Sequence, residues 1–169
     1  MEDQFNKFTK KQLVELIKTY GRLSMVLDGL WFLAIEEKVG MDVALDLDVQ
    51  VWKKYGLREA KLLKKVLSIS EPNLLQVKNT LLTSPFSCTF DYQTKIDGDG
   101  ILLSVANCLP QKARVRDGRG EFPCKQVGMA YYEEFLKELN PNLQVKCLFC
   151  PPDEHPPDLW CSWKITKSE

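Results

Sequence analysis

At Ser84-Pro85 the hydrophobic period of this sequence changes from that of a helix to that of a strand. Upstream, Leu13, Leu16, Ile17, Tyr20, Leu23, Leu27, Leu30, Trp31 and Ile35 recur at three and four residues, the spacing of one helix face. Downstream, Phe86, Cys88, Phe90 and Tyr92 alternate with Ser87, Thr89, Asp91 and Gln93, as in a strand with one buried face. Helices first and strands afterwards point to the α+β class.

Local signals divide both halves further. Thr9 is placed to cap the first helix and Gly40 to stop it, with Gly21 and Gly29 as weak points or kinks within it. Residues 42–55 and 57–67 predict a second and a third helix, and a fourth starts near Ser70, with Glu71 and Pro72 in its first positions. Asp97-Gly-Asp-Gly100 is a tight turn, so residues 86–107 form a hairpin. Residues 109–120 read as an irregular loop and 123–139 as a helix that ends at Asn140-Pro141-Asn142. Strands follow at 143–149 and 159–166, joined by PPDEHPPD. The expected architecture is N-terminal helices packed on an antiparallel sheet of about four strands in β-β-α-β-β order. A helical region, 1–83, and an α+β region, 84–169, would form one compact unit.

A chain of 169 residues with 44% hydrophobic residues can bury roughly two thirds of its unfolded surface, so it needs no staples to fold. Lys+Arg and Asp+Glu are equal at 23 each, which argues against a nucleic-acid binder. No apolar run reaches the roughly 18–20 residues of a membrane span, and the N-terminus lacks a signal-peptide core. A cytoplasmic protein is expected, in which the six cysteines are thiols or metal ligands rather than disulfides.

Cys124 sits at a helix start, Cys147 and Cys150 form C-x2-C at the end of a strand, and Cys161 lies early in the next strand. A turn held between such a pair and a later cysteine suits tetrahedral zinc, and four thiolates favour a structural role. Prolines 151, 152, 156 and 157 would stiffen the loop that closes the site. The alternative is buried thiols, the expected state of Cys88. Asp153, Glu154 or His155 could replace one thiol and open the shell, although a lone histidine in a proline-rich loop is ordinarily surface.

The run from Cys124 to Cys161 resembles the zinc-binding part of the vinyl-reductase-type small-molecule-binding domain, which serves as the sensor of aromatic-responsive bacterial regulators. The resemblance covers about the last half of the chain. It implies a metal set of Cys124, Cys147, Cys150 and Cys161, with Cys147 where that family typically has a glutamate. More loosely, WFLAIEEKVG with CPPDEHPPDLWCSW is similar to proteins grouped with the aminothiazoline carboxylate hydrolase-like family, which implies hydrolytic opening of a cyclic amidine.

Two further places carry chemistry. Arg114 and Arg116 could clamp a carboxylate and lower the pKa of nearby Cys108, making it a nucleophile; the plain reading is a solvated basic loop. Asp28 beside Trp31, or Glu36 beside Phe32, could be a carboxylate with a raised pKa if that face lined a pocket; the plain reading is a core Trp31 with solvated acids, and Asp42, Asp46 and Asp48 read as helix surface. Trp31, Phe32, Phe90, Tyr92 and Tyr131 are candidate pocket lining. Three readings result: a zinc-stabilised, sensor-like domain that holds a small organic ligand; a hydrolase of a small cyclic amide or amidine using Cys108 or an opened zinc site; or a structural or interaction protein with inert thiols. For a sensor without an effector domain, a signal would pass through a partner or an oligomer, a homodimer in the simplest case.

Overall fold

The computed structural model describes residues 2–168. A short α1 (Glu2–Phe5) leads into α2 (Lys10–Val39). Thr9 caps α2 as expected: its Oγ accepts from the Gln12 amide, and the Gln12 side chain accepts from the Thr9 amide. Gly40 closes it at φ 86°, a conformation that suits glycine, and the chain turns into α3 (Met41–Val66).

α3 is one helix where the sequence predicts two. Gly56 is a contact and not a break: a Cβ there would stand 2.6 Å from the Tyr131 carbonyl oxygen, so glycine lets two helices approach closely. α4 (Leu74–Leu82) begins at Asn73 rather than Ser70, because Asn73 and Gln76 form the capping box.

The first predicted strand starts late. Pro85–Cys88 is a 3-10 turn, with Ser84 Oγ accepting from the Phe86 amide. The alternation does not hold there: the buried side chains are Phe86 and Thr89, three residues apart as a 3-10 turn places one side, while Cys88 is only half-buried. β1 (Phe90–Asp97) and β2 (Gly100–Cys108) make the expected hairpin. The predicted loop at 109–120 contains a helix, α5 (Leu109–Arg116), with Pro110 in the first turn where its missing N–H is harmless. Its apolar residues are too few to show a period. α6 (Lys125–Leu139), β3 (Leu143–Phe149) and β4 (Cys161–Lys167) follow.

The strands form an antiparallel sheet in the order β1-β2-β4-β3. Ile101, Leu103, Trp163 and Ile165 pair across β2 and β4 and share a core with Phe135, Leu136 and Leu139 of α6. α3 packs along α6. α2 touches α3 and the 3-10 turn, yet of its 30 residues only Gly21, Met25 and Phe32 are buried. Among the described residues no helix is long and apolar enough to cross a membrane.

Candidate functional site

The cysteines meet where α6 begins. Cys124 is the residue that precedes its first turn, and the Lys125 amide donates to the Pro151 carbonyl at 3.0 Å. Lys125 Nζ bonds both Asp153 oxygens, at 2.8 and 3.0 Å, which holds the turn after β3 against the helix start. Cys124 Sγ thereby lies 3.5 Å from Cys150 Sγ. Gln111 Nε2 donates to Cys124 Sγ at 3.3 Å. The bond shared with Cys150 pulls the Cys124 thiol below its ordinary value, aided by Gln111. Cys150 is pushed up because it hydrogen-bonds Cys124 and Cys161. Cys147, half-buried before the bulge at Leu148, is raised to about 11 by burial.

Two thiolates on one tetrahedral zinc at about 2.3 Å would stand about 3.8 Å apart, close to the Cys124–Cys150 separation. The donor chemistry suits zinc, and Cys161 adds a third thiol at Cys150. Yet among the described residues no group of three or more His, Cys, Asp or Glu side chains is arranged to hold a metal ion. The spacing delivers a contacting pair with a third thiol beside it, not a preformed four-thiolate shell. His155 faces elsewhere: its ring nitrogens lie 3.0 Å from the Pro156 carbonyl and 3.3 Å from Glu121.

Two buried carboxyls, Asp48 and Glu59, and the half-buried Asp28 stand on the inward sides of α2 and α3. Asp28 of α2 is raised to about 6 by burial. Asp48 of α3, only 9% exposed, is raised to about 7 by burial and by Asp28, against a hydrogen bond from Trp52. Glu59 is 5% exposed and is raised by burial, opposed by the hydroxyls of Ser84, Tyr131 and Tyr55 near it, of which only that of Tyr131 makes a hydrogen bond. Tyr131 Oη donates to Glu59 Oε2 at 3.1 Å, whereas Oε1 has no partner.

Tyr131, the partner of this carboxyl, belongs to a cluster of aromatic rings. Trp52 lies 4.8 Å from Phe86 and 5.6 Å from Tyr131 between centroids, and Tyr55 lies 5.2 Å from Phe86. This box was not foreseen apart from Tyr131. A signal existed: Trp52, Tyr55, Glu59 and Leu63 share one face of a continuous helix. Dividing the helix at Gly56 hid it. Asp48, read as helix surface, is likewise buried, because α3 turns that face toward Asp28.

A family model matches residues 6–167, nearly the whole chain: DUF6125, a family of unknown function. The chain belongs to that family. No curated protein matches its sequence. Among solved structures, the phenol-responsive sensory domain of the transcription activator PoxR, with phenol, aligns at TM-score 0.53 and 17% identity, over 82% of this chain and 72% of that one. Trafficking protein particle complex subunit 3 from Naegleria fowleri, covalently bound to palmitic acid, aligns at TM-score 0.52 and 9% identity, over 89% and 96%. Both likenesses are of fold.

The other site residues named from this DUF6125 sequence do not converge. Trp31 is 65% exposed on the outside of α2. Arg114 does not face a ligand space: it is buried, and Nη1 and Nη2 donate to Glu36 at 2.7 and 3.0 Å. Arg116 is exposed and pairs with Asp117 at 2.8 Å. The Cys108 thiol is pushed well above its ordinary value by burial, the reverse of the activation expected from the two arginines. His155, the lone histidine, is bonded to Glu121 and Pro156.

Proposed function

We propose that this DUF6125 chain is a small-molecule-binding domain of the sensor type, and that its ligand occupies the aromatic box at Glu59. The observation that carries this reading is the unpartnered, buried Glu59 Oε1 among Trp52, Tyr55, Phe86 and Tyr131. A buried carboxyl oxygen without a hydrogen bond is costly, and a guest hydroxyl would satisfy it. Burial favours the protonated acid, which both donates and accepts, so the suited guest is neutral, largely apolar and bears one hydroxyl or similar group. The rings touch, so a guest takes its room from movement of the half-buried Trp52 and Tyr55. The two structural neighbours support a fold that admits organic guests, phenol in one and palmitate in the other.

The test is titration with phenol, 4-methylphenol and palmitate, read by tryptophan fluorescence and native mass spectrometry. Saturable binding should weaken roughly tenfold in Glu59→Leu, the scale of one buried hydrogen bond. Absence of saturable binding of all three probes, or equal affinity in Glu59→Leu, refutes the site. As the finer part of the reading, zinc would be held by the thiolates of Cys124, Cys150 and Cys161 with Cys147 completing the set, tying α6 to β3 and β4. About one zinc per chain in protein purified without added metal or chelator supports it. Six thiols reactive on denaturation alone refute it.

A further inference from the structure

α2 buries one face and leaves another bare. Gly21, Met25 and Phe32 form the inner face. On the outer side Leu13, Leu16, Tyr20, Leu23, Leu27 and Leu30 alternate at spacings of three and four residues, the a/d pattern of a helix-pairing seam. Little of it is covered: Ile17, Tyr20, Leu23, Leu27, Leu30 and Trp31 are each 53–65% exposed. Residues 10–20 include no buried residue at all. A helical arm of that length gains its stability in water chiefly by packing an apolar face, and its own body offers no partner for this one.

The exposed area and the charges indicate what covers the seam. Six side chains of this size, each more than half in water, present on the order of 800 Å², the share one partner gives to a standard stable interface. That exceeds the patch an ordinary monomer exposes, about 300–600 Å². Up to Leu23 the helix carries Lys10, Lys11, Lys18 and Arg22 against a single Glu15. Beyond it Asp28 turns inward to Asp48 and Glu36 is held by Arg114, which leaves the exposed Glu37, bonded on one oxygen by Arg119, beside a single Lys38. A parallel copy would set the basic N-terminal half against itself, whereas a reversed copy brings it to the half that carries Glu37 and one lysine.

We propose that α2 is the interface of a two-fold homodimer in which two α2 helices pack antiparallel, with the axis near Leu23 and Ser24. Tyr20 then faces Leu27 of the second copy, Ile17 faces Leu30, and Lys10 comes to Glu37. Both copies use the same patch, so the contact closes and cannot propagate into a fibre.

The experiment uses the full chain, with light scattering after size exclusion at 1–100 μM. Twice the chain mass is expected for the wild type. Leu23→Glu/Leu27→Glu should run as a monomer with an unchanged circular dichroism spectrum, since both side chains are exposed. Orientation is read by oxidative cross-linking: Ser24→Cys should link to itself, and Leu13→Cys should link only to Ala34→Cys. A wild type that stays monomeric at 100 μM overturns the proposal and leaves the seam to a different partner. So does a dimer that survives the two glutamates. Self-linking of Leu13→Cys overturns the antiparallel arrangement. None of these readouts depends on ligand binding, so they stand apart from the fate of the Glu59 site.

Discussion

Arg114→Ala should destabilise the protein by about 3 kcal/mol, because it strands a buried charge. The Arg114 guanidinium joins α5 to α2 through two bonds to Glu36, and the two side chains are only 9% and 15% exposed. Its carbon lies 5.9 and 5.6 Å from the centres of the Phe32 and Phe122 rings, which pack edge-on at 4.7 Å. Without Arg114, Glu36 keeps only Arg119 at 3.9 Å. Breaking a buried pair from one side costs about 3–5 kcal/mol, and Arg119 with the residual water contact places this case at the lower end. The Arg114 hydrogen bonds hold the Glu36 carboxyl below the usual range. A depressed acid contributes stability above its unfolded pKa of about 4.3 and loses it as pH falls through the folded value. The deficit of Arg114→Ala is therefore full at pH 7 and shrinks toward pH 4. Urea unfolding followed by circular dichroism across that range measures it. Glu36→Leu/Arg114→Met removes both charges and should recover most of the loss. A deficit below about 1 kcal/mol at pH 7, or a double variant no more stable than Arg114→Ala, would refute the reasoning.

Three other outcomes concern residues in α2 or facing it. Asp48, raised to about 7, contributes fully below its unfolded pKa and loses that contribution as pH rises through 7, so Asp48→Asn should exceed the wild type at pH 8 by about 2–4 kcal/mol. Thermal melts that show no gain at pH 8, or the same gain at pH 4, would contradict this. The two glycines expected to weaken α2 should behave oppositely. A Cβ at Gly29 meets nothing, so Gly29→Ala should stabilise by about 0.5–1 kcal/mol in the same melts. A Cβ at Gly21 collides with the Pro85 carbonyl oxygen, so Gly21→Ala should lose at least about 1 kcal/mol.

Periodicity, capping and cysteine spacing are local signals, and they account for what was legible. Thr9 with Gln12, the change at Ser84, the Asp97–Gly100 turn and the strand of residues 143–149 all read correctly because the determining residues lie within a few positions of one another. The approach of Cys124 to Cys150 was also readable, since α6 must carry the chain back along the sheet before β3. What failed depended on distant partners. Gly56 looks like a break until Tyr131 lies against it. Arg114 looks like a solvated charge until Glu36, 78 positions away, takes both its nitrogens. Asp48 looks like a surface acid until α3 turns it toward Asp28 of α2, and Glu59 stays unremarked until Tyr131 of α6 bonds it.

α2 also ties the two proposals together. Phe86 is a wall of the aromatic box and belongs to the Pro85–Cys88 turn. α2 packs tightly on that turn, with Gly21 against Pro85. A guest that displaces Phe86 therefore presses on the inner face of the helix whose outer face forms the seam. A packed contact of this kind transmits a shift because it has no free space to absorb it. If a guest binds in the box and copies pair through α2, linkage requires reciprocity: whatever factor phenol applies to the dimer dissociation constant, dimerisation applies to phenol affinity. Equal phenol affinity in the wild type and in the monomeric Leu23→Glu/Leu27→Glu variant would show that the turn does not couple them. A difference should diminish in Phe86→Leu, which keeps the core apolar but shortens the wall that touches Trp52 and Tyr55.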